Sequence, residues 1–283
     1  MQWTPGGSDK YVEDRRGQRG GGGGFGLPIG RLGIGGVLLL LILSFVFKTN
    51  FFALLGGGTT GAPVAQAPNA PPQNDEMYEF VKAVHNDVQS VWEQQFAASG
   101  QQYQPATLVL FTDTTRSGCG IGQAVMGPFY CPADQKAYID LGFYGELKQR
   151  FGAPGDFAQA YVLAHEIGHH VQHQLGVDQM VRQAQEQNPG QANELSVQME
   201  LQADCFAGVW AHSMSERQRL DPGDAEEALT AASAIGDDRI QQQAGSQVNP
   251  ETWTHGSSQQ RVEWFRRGME SGNPDQCDTF QQM

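Results

Sequence analysis

The chain has 283 residues, a length that allows one large domain or two small ones. Its formal net charge at pH 7 is −13, and the acidic excess lies after residue 75. Because nucleic-acid binding needs a basic surface, we expect no nucleic-acid partner.

The first 75 residues differ in composition from the rest of the chain. Residues 1–31 are polar and rich in glycine without periodicity, which predicts a disordered tail. Residues 32–55 are apolar apart from Lys48, whose side chain can reach the interface, and they are long enough for a single transmembrane helix. Residues 56–75, rich in Gly, Ala and Pro, predict a flexible linker before a domain over residues 76–283.

The charges around the apolar segment predict its orientation. Four arginines precede the segment, and Lys48 is the one basic residue that closely follows its most apolar stretch. The positive-inside rule therefore places the tail in the cytoplasm and the domain outside, with an uncleaved anchor in the lipid bilayer. A cleaved signal peptide is the competing interpretation. The cleavage-like Ala65-Gln66-Ala67, however, lies far beyond the apolar core.

Four cysteines lie in the predicted domain: Cys119, Cys131, Cys205 and Cys277. An extracytoplasmic location permits disulfide bonds. Three pairings are possible, and the sequence alone does not choose among them. We favour Cys119 with Cys131, which closes a short loop and leaves Cys205 with Cys277. Reduced thiols are the alternative if the domain faces the cytoplasm.

The first part of the domain predicts one helix and two strands. Residues 75–98 have the pattern of an amphipathic helix, with His85 expected on its surface. Residues 107–111 and 136–144 have the pattern of strands, and they flank a loop over residues 118–132. The second strand could present its edge to an extended peptide.

The next predicted helix begins at Asp156, a good N-cap residue with Gln159 three positions later, and ends at Gly176. It contains His165 and His169, which lie on one helix face with Cβ atoms about 5–6 Å apart. Both imidazoles can therefore bind one Zn²⁺.

Two residues between these histidines add to the interpretation. Glu166 lies beside the metal position, where it can take a proton from a zinc-bound water. Gly168, inside the helix, predicts the close approach of another backbone or of the metal site.

The remaining helices follow a polar segment over residues 179–192. One helix is predicted over residues 193–213. Another opens at Asp221, with Pro222 at its first position, and a last one opens at Ser257. With its small β-sheet, the domain is predicted to be α+β and mostly helical.

Glu200 and Asp204 share one face of the 193–213 helix, among largely apolar neighbours. Glu200 can complete a His₂Glu zinc site, and Asp204 can accept the ring N–H of a zinc-binding histidine. A solvated acidic face is the alternative. We predict that His170, His173 and His212 are not ligands, because each lies too far from this set or points away from it.

These motifs together resemble known metallopeptidases. His165 to His169, Glu200 with Asp204, and His255 with Arg261 resemble the gluzincins. The segments 117–120, 127–132 and 138–141 narrow the resemblance to the bacterial neutral zinc metallopeptidase family, over essentially the whole chain. The resemblance implies a zincin-like domain, one Zn²⁺ per chain, and a single-pass protein of the bacterial inner membrane with a periplasmic domain.

The resemblance also suggests roles for His255 and Arg261. A similar element occurs in the CAAX-processing and heat-shock membrane metallopeptidases, although there a Pro follows the His, where this chain has Gly256. His255 is a candidate donor to the tetrahedral oxyanion, and Arg261 could orient the site or bind a carboxylate. Purely structural roles for both residues are equally compatible with the sequence.

The predicted function is therefore a membrane-anchored zinc metallopeptidase. Its zinc would be held by His165, His169 and Glu200, and it would hydrolyse a protein or peptide substrate with Glu166 as general base. Two other functions stay open. One is a non-catalytic zinc-binding scaffold or protease regulator, and the other is a zinc amidase acting on a non-protein substrate such as peptidoglycan.

Overall fold

The computed structural model describes residues 1–17, 75–124, 127–243 and 247–280. Residues 1–16 belong to one compact unit together with the described residues from 75 onward. Within the described residues the fold is mostly helical with a small sheet, which confirms the predicted α+β class.

The predicted anchor, residues 32–55, lies outside the described residues, as does the linker up to residue 74. Among the helices that the structure describes, none combines the length and the apolar character needed to cross a membrane.

The described residues form two sheets. The strands are β1 (Val12–Asp14), β2 (Thr107–Phe111), β3 (Thr114–Ser117), β4 (Gly120–Gln123), β5 (Phe129–Cys131) and β6 (Lys136–Asp140). Four of them form a sheet in the order β1-β2-β6-β5, in which β5 alone is antiparallel to its neighbour. The other two, β3 and β4, form an antiparallel hairpin.

The helices pack around the four-stranded sheet and around one another. They are α1 (Glu76–Ala98), α2 (Gly142–Gln149), α3 (Asp156–Gln174), α4 (Val177–Gln187), α5 (Ala192–Glu216), α6 (Asp224–Ala234), α7 (Asp237–Gln243) and α8 (Ser258–Ser271). Short 3₁₀ turns lie at Pro189–Gln191, Pro250–Thr252 and Pro274–Cys277.

The N-terminal segment is ordered, so the prediction of a disordered tail is wrong for residues 1–17. Strand β1 pairs in parallel with β2, with Val12 opposite Leu108 and Asp14 opposite Leu110. The neighbours of Val12 are charged and polar, so this short strand has no apolar pattern in the sequence. Its stability comes from pairing with β2 rather than from local propensity.

The strand predicted over residues 136–144 ends earlier, at Asp140. The Asp140 carboxylate accepts hydrogen bonds from the Gly142 and Asp113 N–H groups, at 2.8 and 2.7 Å, and the chain turns into α2. Strand β2 pairs with residues 136–140 of β6 and β5 pairs with residues 136–138, so β6 has no free edge over residues 136–138, and the prediction that this strand presents its edge to a peptide is wrong there. Strand β5 is the edge strand instead.

Helix α3 is the most buried helix of the domain, and its ends differ slightly from the prediction. Gly155 is its N-cap residue and Asp156 is its first residue, so the predicted capping box is absent there. Gly176 follows its last turn in the left-handed conformation, as predicted. A Cβ on Gly168 would lie 3.0 Å from the Ala203 carbonyl oxygen, which confirms the close approach of another backbone.

Helix α5 crosses α3 and is held from its other side by α8. A Cβ on Gly268 of α8 would lie only 1.9 Å from the Cys205 carbonyl oxygen, so glycine allows these two helices to approach. The disulfide Cys205–Cys277 links α5 to the turn after α8, and Cys119–Cys131 links the β3–β4 turn to β5. Both are the pairs that the sequence analysis favoured.

Several further elements differ from the prediction. The polar segment after Gly176 is helical as α4, and α6 begins at Asp224 rather than at Pro222. Helix α8, by contrast, begins after Ser257 as predicted, and Ser257 and Gln260 form a capping box there. His85 is buried rather than on the surface, and its Nε2 lies 3.1 Å from the Ala106 carbonyl oxygen.

Candidate metal centre

Three predicted ligands converge between α3 and α5. His165 Nε2 lies 3.2 Å from Glu200 Oε2, and His169 Nε2 lies 3.4 Å from Glu200 Oε1. Two ligand atoms that are each about 2.0–2.1 Å from a tetrahedral Zn²⁺ lie roughly 3.4 Å apart. The spacing of these nitrogen and oxygen atoms therefore fits one zinc ion.

Hydrogen bonds behind the two rings set their tautomers. His165 Nδ1–H donates to Asp204 Oδ1 at 2.8 Å, and His169 Nδ1–H donates to Gln172 Oε1 at 2.8 Å. The Gln172 side-chain amide in turn donates to the Met199 carbonyl oxygen at 2.7 Å. Both Nε2 lone pairs consequently point toward Glu200, as a metal site with neutral imidazole ligands requires.

Asp204 is fully buried and is held from three directions. The Arg261 guanidinium donates two hydrogen bonds to its two carboxylate oxygens, at 2.8 and 2.9 Å. The Tyr161 hydroxyl donates to Asp204 Oδ1 at 2.6 Å. Burial acts to raise the pKa of Asp204, but Arg261 and His165 outweigh it and lower that pKa. Asp204 is thus a fixed anion behind His165.

The residues that face the metal position have shifted acid–base properties. Burial acts to raise the pKa of Glu200, but His169 and His165 lower it well below its ordinary value. Burial lowers the pKa of His165, but without a metal ion Asp204 and Glu200 outweigh burial and raise that pKa to about 10. A metal ion would displace the Nε2 proton on binding. Burial raises the pKa of Glu166, a direction that favours a carboxylate able to accept and return a proton.

The metal position opens into a cleft with a volume of about 610 Å³, which Glu166 also lines. Its walls are largely apolar and come from the β5 region, α2 and the residues after it, α3 and the α6–α7 segment. The apolar wall residues are Phe129, Tyr130, Phe143, Phe151, Val162, Ile235 and Ile240.

His255 lines the same cleft from the loop before α8. Its Nδ1 lies 3.1 Å from Asp237 Oδ1, and Asp237 Oδ2 accepts hydrogen bonds from the backbone N–H groups of Thr254 and His255, both at 2.7 Å. The hydrogen bond to Asp237 raises the pKa of His255. The loop is therefore fixed, and the half-exposed ring is available to a molecule in the cleft.

The other histidines near the motif have partners of their own. His170 Nε2–H donates to the Gln104 carbonyl oxygen at 2.6 Å, and His170 Nδ1 accepts from the Tyr130 hydroxyl at 2.9 Å. His173 contacts Asp178, and His212 contacts the Met269 carbonyl oxygen. None of the three belongs to the set formed by His165, His169 and Glu200.

Two residues of the centre were missed by sequence reasoning. Gln172 lies three residues after His169, so the helix period places it beside that ring, a signal that was available. Tyr161 lies one turn before His165, and its ring fits the pattern of a core residue. Its hydroxyl contact depends on the positions of α5 and α8, which the sequence around Tyr161 does not indicate.

This arrangement is a candidate metal site of two histidines and one glutamate on an α+β domain. The chain matches the family described as "Putative neutral zinc metallopeptidase" over residues 1–280, and it belongs to that family. It is similar to the "Uncharacterized protein YpfJ" of Escherichia coli K12, with 51% identity over 290 residues and 99% of each chain covered.

It is also similar to the "Uncharacterized protein Rv2575" of Mycobacterium tuberculosis H37Rv, with 44% identity over 211 residues, covering 71% of this chain and 69% of that protein. No solved structure shows significant similarity to the chain.

Proposed function

We propose that this protein is a zinc-dependent metallopeptidase that hydrolyses peptide bonds. The observation that carries the proposal is the spacing of His165, His169 and Glu200 around one tetrahedral position at the base of an open cleft. A zinc-binding scaffold would not need a cleft of this size at its metal, so the opening favours an enzyme.

Each residue of the centre has a role in this reaction. When bound, Zn²⁺ would polarise the scissile carbonyl and acidify the attacking water. Glu166 takes the proton of that water and returns it to the leaving amine. His255 donates a hydrogen bond to the carbonyl oxygen as negative charge develops there. Arg261 does not reach the substrate as a free cation, because Asp204 takes two of its donors, and it positions His165 through Asp204.

An extended peptide is the substrate that the cleft suits. Strand β5 is the last strand of its sheet, and its residues Phe129 and Tyr130 line the cleft. A peptide can therefore add to this edge through main-chain hydrogen bonds, with its apolar side chains against the aromatic walls. Membrane attachment through residues 32–55 is part of the proposal and rests on their sequence alone.

The test compares Glu166→Gln with the wild-type chain. We expect Glu166→Gln to bind zinc normally, by elemental analysis, and to lose about 10²–10⁴-fold of its activity on casein or on a peptide library. Glu263→Gln, which makes the same change at an exposed position on α8, is the matched control and should keep full activity.

Chelator-sensitive cleavage of purified peptidoglycan, without cleavage of peptides, would instead support an amidase. Normal zinc content without turnover of either substrate would support the scaffold. Hydrolysis by Glu166→Gln at the wild-type rate would contradict the mechanism.

A further inference from the structure

The N-terminal segment, residues 1–16, is bonded into the metallopeptidase domain along its length. The Leu108 N–H donates to the Tyr11 carbonyl oxygen, and the Arg15 N–H donates to the Leu110 carbonyl oxygen, both at 2.8 Å. The Gln2 N–H donates to the Arg219 carbonyl oxygen, also at 2.8 Å. These bonds fix the segment at both of its ends.

Side chains of the segment also contribute to the core and to ion pairs. Met1, Trp3 and Val12 pack against the main hydrophobic core, and the Trp3 ring lies edge-on to Phe80 at 5.4 Å. Three ion pairs between side chains link the segment to the domain: Asp9 with Lys82, Glu13 with Lys136, and Arg16 with Asp75. Without β1, moreover, β2 would have an exposed edge.

Distances decide what this docking means for a membrane. Hydrogen-bonded strands are about 4.8 Å apart, whereas the hydrocarbon core of a bilayer is about 30 Å thick. A single crossing between residues 17 and 74 would hold β1 and β2 on opposite faces and prevent their pairing. The positive-inside orientation predicted from the sequence therefore conflicts with the β1–β2 pairing.

We infer that residues 1–16 fold as a component of the metallopeptidase domain and lie on the same side of the membrane as that domain. Two full crossings need about 40 apolar residues, more than residues 32–55 provide.

Cysteine labelling in intact cells tests the shared side. Thr4→Cys places a thiol at an exposed position of the segment, and Ser99→Cys places one at an exposed position after α1. We expect a membrane-impermeant maleimide to label both variants or to spare both, while both react after detergent lysis. Labelling of one variant and protection of the other would show a single crossing and would overturn the inference.

A cross-link tests the docking itself. A Cβ on Gly7 would lie 3.8 Å from the Asn86 Cβ, a separation typical of disulfides. We expect the full chain carrying Gly7→Cys and Asn86→Cys to form an intramolecular disulfide, detected by peptide mapping. The control pair, Gly7→Cys with Ser99→Cys, should form none, because Ser99 lies roughly 20 Å farther along α1.

Because Gly7 has a φ of +101°, cysteine strains the backbone equally in both pairs, and the contrast between them is the decisive readout: a cross-link in the control pair at the same or a higher yield than in the first pair would contradict the docking. Neither readout depends on hydrolysis, so the outcome is independent of the proposed enzymatic function.

Discussion

Asp204→Asn is the change that most directly tests how the metal centre is built. The substitution keeps the size of the side chain but removes the anion that accepts from His165 Nδ1–H and from two Arg261 donors. One of its two terminal atoms becomes an N–H donor facing Arg261 or His165. The variant should therefore lose both zinc affinity and stability.

The two losses have different magnitudes. Loss of the partner that orients a zinc-binding histidine typically weakens metal binding by about 10–100-fold. Arg261 is only 2% exposed, and leaving such a charge unpaired costs about 3–5 kcal/mol of the free energy of unfolding. For a domain of this size that corresponds to a fall of about 6–20 °C in Tm.

The assay is a competition titration with a chromophoric chelator, together with thermal unfolding with and without zinc. Glu194→Gln, an exposed change on the same helix, should leave both quantities unchanged. In the double variant Asp204→Asn with Arg261→Met, we expect Tm to recover in part while zinc affinity stays low. Wild-type zinc affinity in Asp204→Asn would refute the role assigned to this carboxylate.

Three further changes test the packing, the buried histidine and the disulfides. Gly268→Ala should lower the free energy of unfolding by about 1–3 kcal/mol, because the added Cβ forces α8 away from Cys205. Gly145→Ala, with open space around its Cβ, should raise that free energy by about 0.5–1 kcal/mol. Denaturant titration measures both changes. Burial lowers the pKa of His85 to about 4, below its unfolded value near 6.5, so its contribution to stability is complete above pH 6.5 and is lost as the pH falls toward 4. His85→Gln should flatten that part of the pH profile of urea unfolding, and an unchanged profile would contradict the assignment. Removing Cys205–Cys277 should lower the free energy of unfolding by about 4 kcal/mol, and removing Cys119–Cys131 should lower it by about 3 kcal/mol, because the first disulfide closes the longer loop. The reverse order of Tm values would contradict this prediction.

The sequence was most informative where function and local geometry coincide. The helix period alone places His165, Glu166 and His169 together, and the acidic pair on the next long helix pointed to Glu200 and Asp204. These predictions needed only the spacing of residues within single helices.

The sequence was least informative where the fold depends on contacts between distant segments. Strand β1 has no strand pattern in the sequence and is stabilised by its pairing with β2. The position of β6 between two strands depends on β5, whose three residues are too few to read as a strand. Asp156 looked like an N-cap residue, but the chain enters α3 at Gly155 and leaves the Asp156 carboxylate 2.9 Å from the nitrogen of Met1.

The link from α8 to Asp204 has a consequence for biosynthesis. The candidate metal ligands are made by the time residue 200 is synthesised, but the guanidinium that holds Asp204 belongs to residue 261, and the disulfide partner of α5 is residue 277. Some 60 further residues are therefore synthesised after these side chains before Arg261, which holds Asp204 in place, is added to the chain. The complete candidate metal site is consequently assembled late, when nearly all of the domain has been made.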